Sequence, residues 1–392
     1  MAERTQRSAE IEGESLRERA VRGARALIAS AANDGWRGPD PYDGLLYPWP
    51  TILRGGSLRR QAIVQLHARS PVDVRRLYFR REQPRIAKAL GLFAQSALRL
   101  EAVQADARTA ALGHEALEIL LADTESGAAW GYPFDVQTRW SFYPAGAANV
   151  VVTSFAGSAL AEAGRALGDE RFVTRAKRAA EWVLEKTFDT KTGTFSYHEH
   201  SGTVIHNANL LAAKLVWECL RDDVTARGAV ASAVERSLAA QKPDGTWPYG
   251  EGPGLGWNDS FHTGFVLSSL VSLRDVDASV SDALTRGSQA YTHSFFGRQG
   301  QARLWPGKEY PEDAHAAGTG LSVLVSLTKL DLADAHMMTL LADRVLTVTL
   351  RGGHAIWRRG RWGSIKIPYI RWCDAHVALG LADVGALPVK RV

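Results

Sequence analysis

VVTSFAGSALAEAG, residues 151–164, and FVTRAKRAAEWVLEK, residues 172–186, share one period and have opposite character. Apolar residues recur every three or four positions in both, which is the spacing of a helix. The first segment is nearly uncharged, with Gly, Ala and Ser set among Val and Leu. The second carries Lys, Arg and Glu along one face. A helix that is apolar on all sides is enclosed by other elements, whereas a striped one faces water. A buried helix followed by an exposed one predicts two layers of helices.

The same alternation runs along the chain. SLRERAVRGARALIAS, IAKALGLFAQSALRL, NANLLAAKLVWECL, FHTGFVLSSLVSL and CDAHVALGLADV belong to a set of twelve predicted helices, and no stretch alternates well enough to build a sheet. The linkers repeat too. Each outer helix runs into a turn with an aromatic residue: Trp130, Phe195, Trp247, Trp305 and Trp357. After each turn the buried helix opens near a polar group: Asn149, Asn207, His262, His315 and Asp374. The first hairpin joins a helix at 14–32 to one at 84–105 and holds an arginine-rich insert, residues 43–83. These features predict one all-α domain over residues 1–392, with six helical hairpins arranged as an inner ring wrapped by an outer one.

The pattern resembles the (α/α)6 toroids, which include the six-hairpin glycosidase superfamily and the terpene cyclase and protein prenyltransferase toroids. QKPDGTW, residues 241–247, matches the Q-x-x-D/x-G-x-W repeat of squalene cyclases. GWRGPDPYDG, WGYPFDVQTRW and WNDSFHTG resemble segments of uncharacterised toroid proteins associated with bacterial and archaeal surface-glycan synthesis. The resemblance spans residues 14–385 and implies a carbohydrate-active role in polysaccharide or lipid-linked glycan metabolism.

Composition narrows the classes. The 392 residues are 45% hydrophobic and 23% charged, the balance of a globular protein with a large core. The charged start MAERTQRSAE has no apolar signal region, and no run of apolar residues is long enough to span a bilayer, so a cytoplasmic location is expected. Cys219 and Cys373 are far apart, and Cys373 with His376 makes two ligands, too few for a metal site; no cofactor is expected. The net charge of +5 is concentrated between Arg54 and Arg85, where nine arginines meet Asp73 and Glu82. Such an insert suits a solvated face, an anionic membrane surface or an acidic substrate. Nucleic acid is not expected, because no recognition motif accompanies the charge.

If every inner helix begins on one rim, the scattered polar and aromatic residues meet there. Taken singly, Asn149, Asn207 and Asp374 fit helix caps; taken with the rest they are candidate sugar contacts. Caps do not call for His206, His262 and His315, nor for Tyr132, Asp135 and Arg139 in one loop and Tyr249, Glu251, Trp257 and Asp259 in another. Together these predict a sugar-binding bowl, with Trp130, Trp247 and Trp257 as stacking platforms. Glycoside hydrolysis needs two carboxyl groups. Asp259 is the first candidate, Asp43 or Asp135 the second, and His262 an assisting group. A uronate C5-epimerase or lyase would instead use His206, Asn207, Tyr197, Arg139 and His262. A terpene cyclase-like enzyme would need the D-x-D-D motif, which DVDAS at 275–279 does not complete. A non-catalytic glycan-binding toroid is the fourth possibility, since fold does not determine function.

Overall fold

The computed structural model describes residues 14–46, 56–70, 73, 83–123, 127–138, 141–199 and 201–388. Thirteen α-helices run through them: α1 (Leu16–Asn33), α2 (Ser57–Arg69), α3 (Ala87–Glu101), α4 (Ala107–Ala122), α5 (Val150–Leu167), α6 (Glu170–Thr187), α7 (His206–Leu220), α8 (Val224–Ala239), α9 (Ser260–Ser272), α10 (Ser279–Phe295), α11 (Ala314–Thr328), α12 (Ala335–Arg344) and α13 (Ala375–Gly385). The described strands are two residues long and form small antiparallel ladders in the connections. This is an all-α toroid. None of the described helices is long and apolar enough to cross a membrane.

Helices α3, α5, α7, α9, α11 and α13 contact one another in that order, and α13 returns to α3, which closes the inner ring. Helices α4, α6, α8, α10 and α12 each pack outside the inner helix that precedes them. α5 is buried on nearly every side, from Val150 to Gly164, while α6 buries a stripe of Phe172, Ala176, Ala179, Ala180 and Val183. Side-chain caps start helices in both layers. Asp106, Asp169, Asp223 and Asp334 each accept a first-turn N–H in the outer ring, as Asn149, Asp259 and Asp313 do in the inner one.

Ring closure corrects the first hairpin, expected between the helices at 14–32 and 84–105. α1 and α3 touch, but the main partner of α1 is α13, so the two ends of the chain form the closing pair. Arg17 secures it by donating its Nε–H to the Gly385 carbonyl at 2.7 Å. Between α11 and α13 the backbones approach so closely that a Cβ on Gly318 would collide with the His376 carbonyl.

α2, inside the insert, is the helix that periodicity does not reveal; its apolar residues form no single stripe, and only Val64 and His67 are buried. It sits over a rim loop, where Arg60 donates to the Gln137 side chain at 2.9 Å and Gln61 to the Thr138 carbonyl at 3.1 Å. The connections from inner to outer helices are short, such as 168–169 and 221–223. Those from outer to inner helices are long, such as 123–149 and 240–259. The long ones gather at the rim where the inner helices begin.

Candidate functional site

A cavity of about 1230 Å³ opens at that rim. The beginnings of all six inner helices reach it: Lys88 on α3, Val151 on α5, Asn207 on α7, Asp259 and His262 at α9, and His315 on α11. At the sixth position a π-helical turn, Ile370–Asp374, delivers Arg371 and Trp372 just before α13. Long loops add Tyr42, Tyr132, Tyr143, Tyr197, Tyr249, Trp257 and Trp305, and α2 contributes Gln61, Val64, Gln65 and Arg69 at the mouth.

Asp259 and His262 form a dyad on the wall. Asp259 caps α9 by accepting the backbone N–H of His262 at 2.9 Å, and the His262 Nδ1 lies 2.9 and 3.0 Å from its two oxygens. A carboxylate only accepts, so Nδ1 carries the proton and Nε2 of the neutral ring keeps its lone pair. The cap geometry thus orients a base. Beside it Tyr249 stacks on Trp257 at 4.3 Å, and the edge of the His262 ring meets Tyr249 at 4.8 Å.

The floor is cationic and aromatic. Arg371 donates two hydrogen bonds to Asp40, at 2.7 and 3.0 Å, across 331 residues of sequence, and lies 4.7 Å over the Tyr132 ring. Lys88 is 2% exposed, with Nζ 4.2 Å above Phe155 and 4.8 Å from Phe265. Burial, with the Arg371 charge adding to it, pushes the Lys88 ammonium well below the ordinary lysine value. The His315 ring stacks on Phe261 at 4.1 Å and lies 4.2 Å from His376. Burial first, then His376 for His315 and Lys88 for His376, holds both histidines well below the usual range. Tyr197 and Tyr249 move the other way, because burial opposes the phenolate. At neutral pH they are proton donors.

The structure brings Tyr132, Asn207, Tyr249, Glu251, Trp257, Asp259, His262 and His315 to the cavity. It places seven other candidates elsewhere. Asp43 is buried in a turn, where it accepts the Asp40 N–H at 2.9 Å. Asp135 accepts the Ala145 N–H at 2.9 Å and holds the rim loop in shape. Neither lines the cavity, so the carboxylate pair expected with Asp259 does not form there. Trp130 and Trp247 are 1% exposed and are not stacking platforms. Trp130 lies under the Arg175 guanidinium at 3.7 Å, and Trp247 donates its indole N–H to the Ser237 carbonyl at 2.9 Å. Asn149 is a cap for Val152. His206 turns outward to Ser237, 3.2 Å from Nδ1, with burial lowering its pKa to about 4. Asp374 accepts from His354 Nδ1 at 2.8 Å and from the Ala355 N–H at 2.7 Å, tying a loop to the ring. Arg139 lies outside the described residues.

Lys88 and Arg371 are absent from the expectations, although a signal was present. Lys88 is the one charge in the first three turns of α3, and Arg371 lies in the apolar run just before α13, both places where a buried charge has no packing reason to be. Asp40 was hidden by its neighbour, since DPYDG offers two aspartates and nothing local says which one reaches across the ring. Among the described residues, no group of three or more His, Cys, Asp or Glu side chains could hold a metal ion.

No family model and no curated sequence matches this chain. Solved structures do match. An unsaturated glucuronyl hydrolase from Streptococcus agalactiae superposes with a TM-score of 0.62 at 11% identity, covering 94% of this chain and 91% of that one. A cellobiose 2-epimerase from Bacillus thermoamylovorans gives 0.56 at 15% identity, covering 76% and 86%. A polysaccharide lyase gives 0.53 at 10%, covering 77% and 90%. The architecture is therefore an (α/α)6 toroid. At these identities the likeness describes the fold, and the chemistry has to be argued from the cavity.

Proposed function

We propose that this protein is a carbohydrate-active enzyme that moves a proton at a sugar carbon next to a carbonyl or carboxyl group, as epimerases and lyases do, with His262 as the base. The observation that carries the proposal is the Asp259–His262 dyad on the wall of a large cavity lined with aromatic and hydrogen-bonding groups. Asp259 fixes the tautomer and supports the imidazolium that forms when Nε2 takes the proton. Tyr197 and Tyr249, kept protonated by burial, are suited to donate hydrogen bonds to sugar oxygens. Asn207, whose buried Oδ1 has no protein partner, is placed to accept from a sugar hydroxyl. The enzymes among the structural neighbours, whose names specify a hydrolase, an epimerase and a lyase, support a sugar substrate in general.

Hydrolysis by paired carboxylates has less support. Glu251 is the described carboxylate that joins Asp259 at the cavity, and Arg236 holds both of its oxygens, at 2.9 and 2.5 Å. One experiment separates the readings. Incubation with neutral and uronic oligosaccharides in deuterated water, followed by mass spectrometry, distinguishes deuterium uptake into intact sugar, elimination and addition of water. We expect uptake or elimination, and a loss of at least about 10²-fold in rate for His262→Gln and Asp259→Asn, the scale of general acid–base catalysis. Addition of water with full activity in His262→Gln would sink the proposal. Tight binding without turnover by any form would leave a glycan-binding protein.

A further inference from the structure

The cavity floor collects donors that the proton-transfer machinery does not use. Lys88 is buried against two phenylalanine rings, and its charged neighbours are Arg371, a like charge, and Asp40. Asp40 is already engaged twice by Arg371 through Nε and Nη2, which leaves Nη1 uncommitted to that pair. His315 lines the same cavity with both ring nitrogens buried and unpartnered. Packing alone does not explain a lysine here, because a methionine would fill the space without the cost of stripping water from an amine. Sugar hydroxyls could satisfy single donors, but they supply no charge to set against an ammonium beside a guanidinium.

We infer that the sugar bound here carries an anionic group, a carboxylate or a phosphate, which docks on the floor between Lys88 and Arg371 with His315 as a third donor. The inference rests on the cavity being a sugar site, as proposed above, but not on the proton-transfer chemistry. An anion in this position meets charge-assisted donors set among buried aromatic rings, where such bonds are stronger than in bulk water. It also opposes the burial that disfavours the Lys88 ammonium. With an opposite charge in contact, the amine takes up a proton when the ligand binds, against burial and the Arg371 charge and in the same sense as Asp40, beside the neutral rings of His315 and His376.

Isothermal calorimetry on the intact protein tests this with D-glucuronate, glucose 6-phosphate and glucose, each at neutral pH in two buffers of different ionisation enthalpy. We expect one of the two anionic sugars to bind at least about tenfold more tightly than glucose, with net uptake of protons; which one binds assigns the anion as carboxylate or phosphate. Lys88→Met should abolish both the preference and the uptake, while Asp259→Asn should keep both and lose only turnover. Equal binding of glucose and the anionic sugars overturns the inference, as does an unchanged preference in a folded Lys88→Met variant. The proton uptake of the wild-type protein decides the matter should that variant fail to fold. Turnover of neutral sugars without any preference for anions would remove this inference and leave the proposed reaction standing.

Discussion

Trp247 and Trp257 lie in one loop and differ in what surrounds them. The indole of Trp247 is enclosed, with its N–H on the Ser237 carbonyl and its ring over Gly287, where a Cβ would strike it. Gly245 allows the turn that delivers it. Its φ is +83°, and a side chain there would meet the Arg286 carbonyl. The other polar residues of the turn serve the same task. Gln241 donates to the Gly245 and Ala283 carbonyls at 3.1 and 2.9 Å, and Asp244 accepts from Thr246. QKPDGTW is thus a clamp between α8 and α10. Trp257 instead stacks on Tyr249 and lines the cavity. Trp247→Ala should therefore cost about 3–5 kcal/mol of stability, as for other buried aromatic truncations. Trp257→Ala should cost far less stability and weaken sugar binding. Urea unfolding and calorimetric titration of the two variants check the contrast; equal destabilisation would contradict it.

At the scale of the element, α2 shows why local pattern was insufficient. Its sequence, SLRRQAIVQLHAR, has no continuous apolar stripe, and Leu58 and Leu66 are largely exposed. What holds it is a set of directed contacts. Arg60 reaches the Gln137 side chain and lies 4.1 Å over the Phe142 ring, and Gln61 reaches the Thr138 carbonyl. α2 forms part of the cavity mouth, so disturbing these contacts should alter access before it alters the fold. For Arg60→Ala we expect a several-fold weaker dissociation constant for an oligosaccharide, faster proteolytic cleavage within the insert, and an unfolding midpoint close to that of wild type. The reverse pattern, unchanged binding with a large loss of stability, would show that α2 is part of the core. The inner helices behaved differently. Their mostly apolar character was legible because burial on most sides leaves few positions for a charge, and this same rule makes the buried Lys88 conspicuous in retrospect.

For the whole molecule, the ring buries histidines on several of its staves. His206 on α7, His315 on α11 and His376 on α13 are all held neutral by burial, His206 at about 4 and the others well below the ordinary value. Below about 6.5 the unfolded chain takes up protons at these positions that the folded chain refuses, so stability is complete above that pH and declines as pH falls. For His206 alone the decline between 6.5 and about 4 amounts to roughly 3 kcal/mol. His354, raised by its bond to Asp374, acts in the opposite sense, but it is one half-buried group against three enclosed ones. Urea midpoints measured from neutral to mildly acidic pH should fall, and His206→Gln should flatten part of the slope; a midpoint that rises on acidification would contradict this. Hydrophobic period and linker repeat were enough to determine the two helical layers, the sixfold count and the rim at which the cavity opens, because each depends on which faces of a helix avoid water, a property written locally. Which aspartate serves Arg371, which tryptophan plugs a gap, and which histidine faces the cavity were decided only when the chain closed into a ring. Those outcomes depend on the angle at which residues hundreds of positions apart meet, and no local spacing encodes that angle.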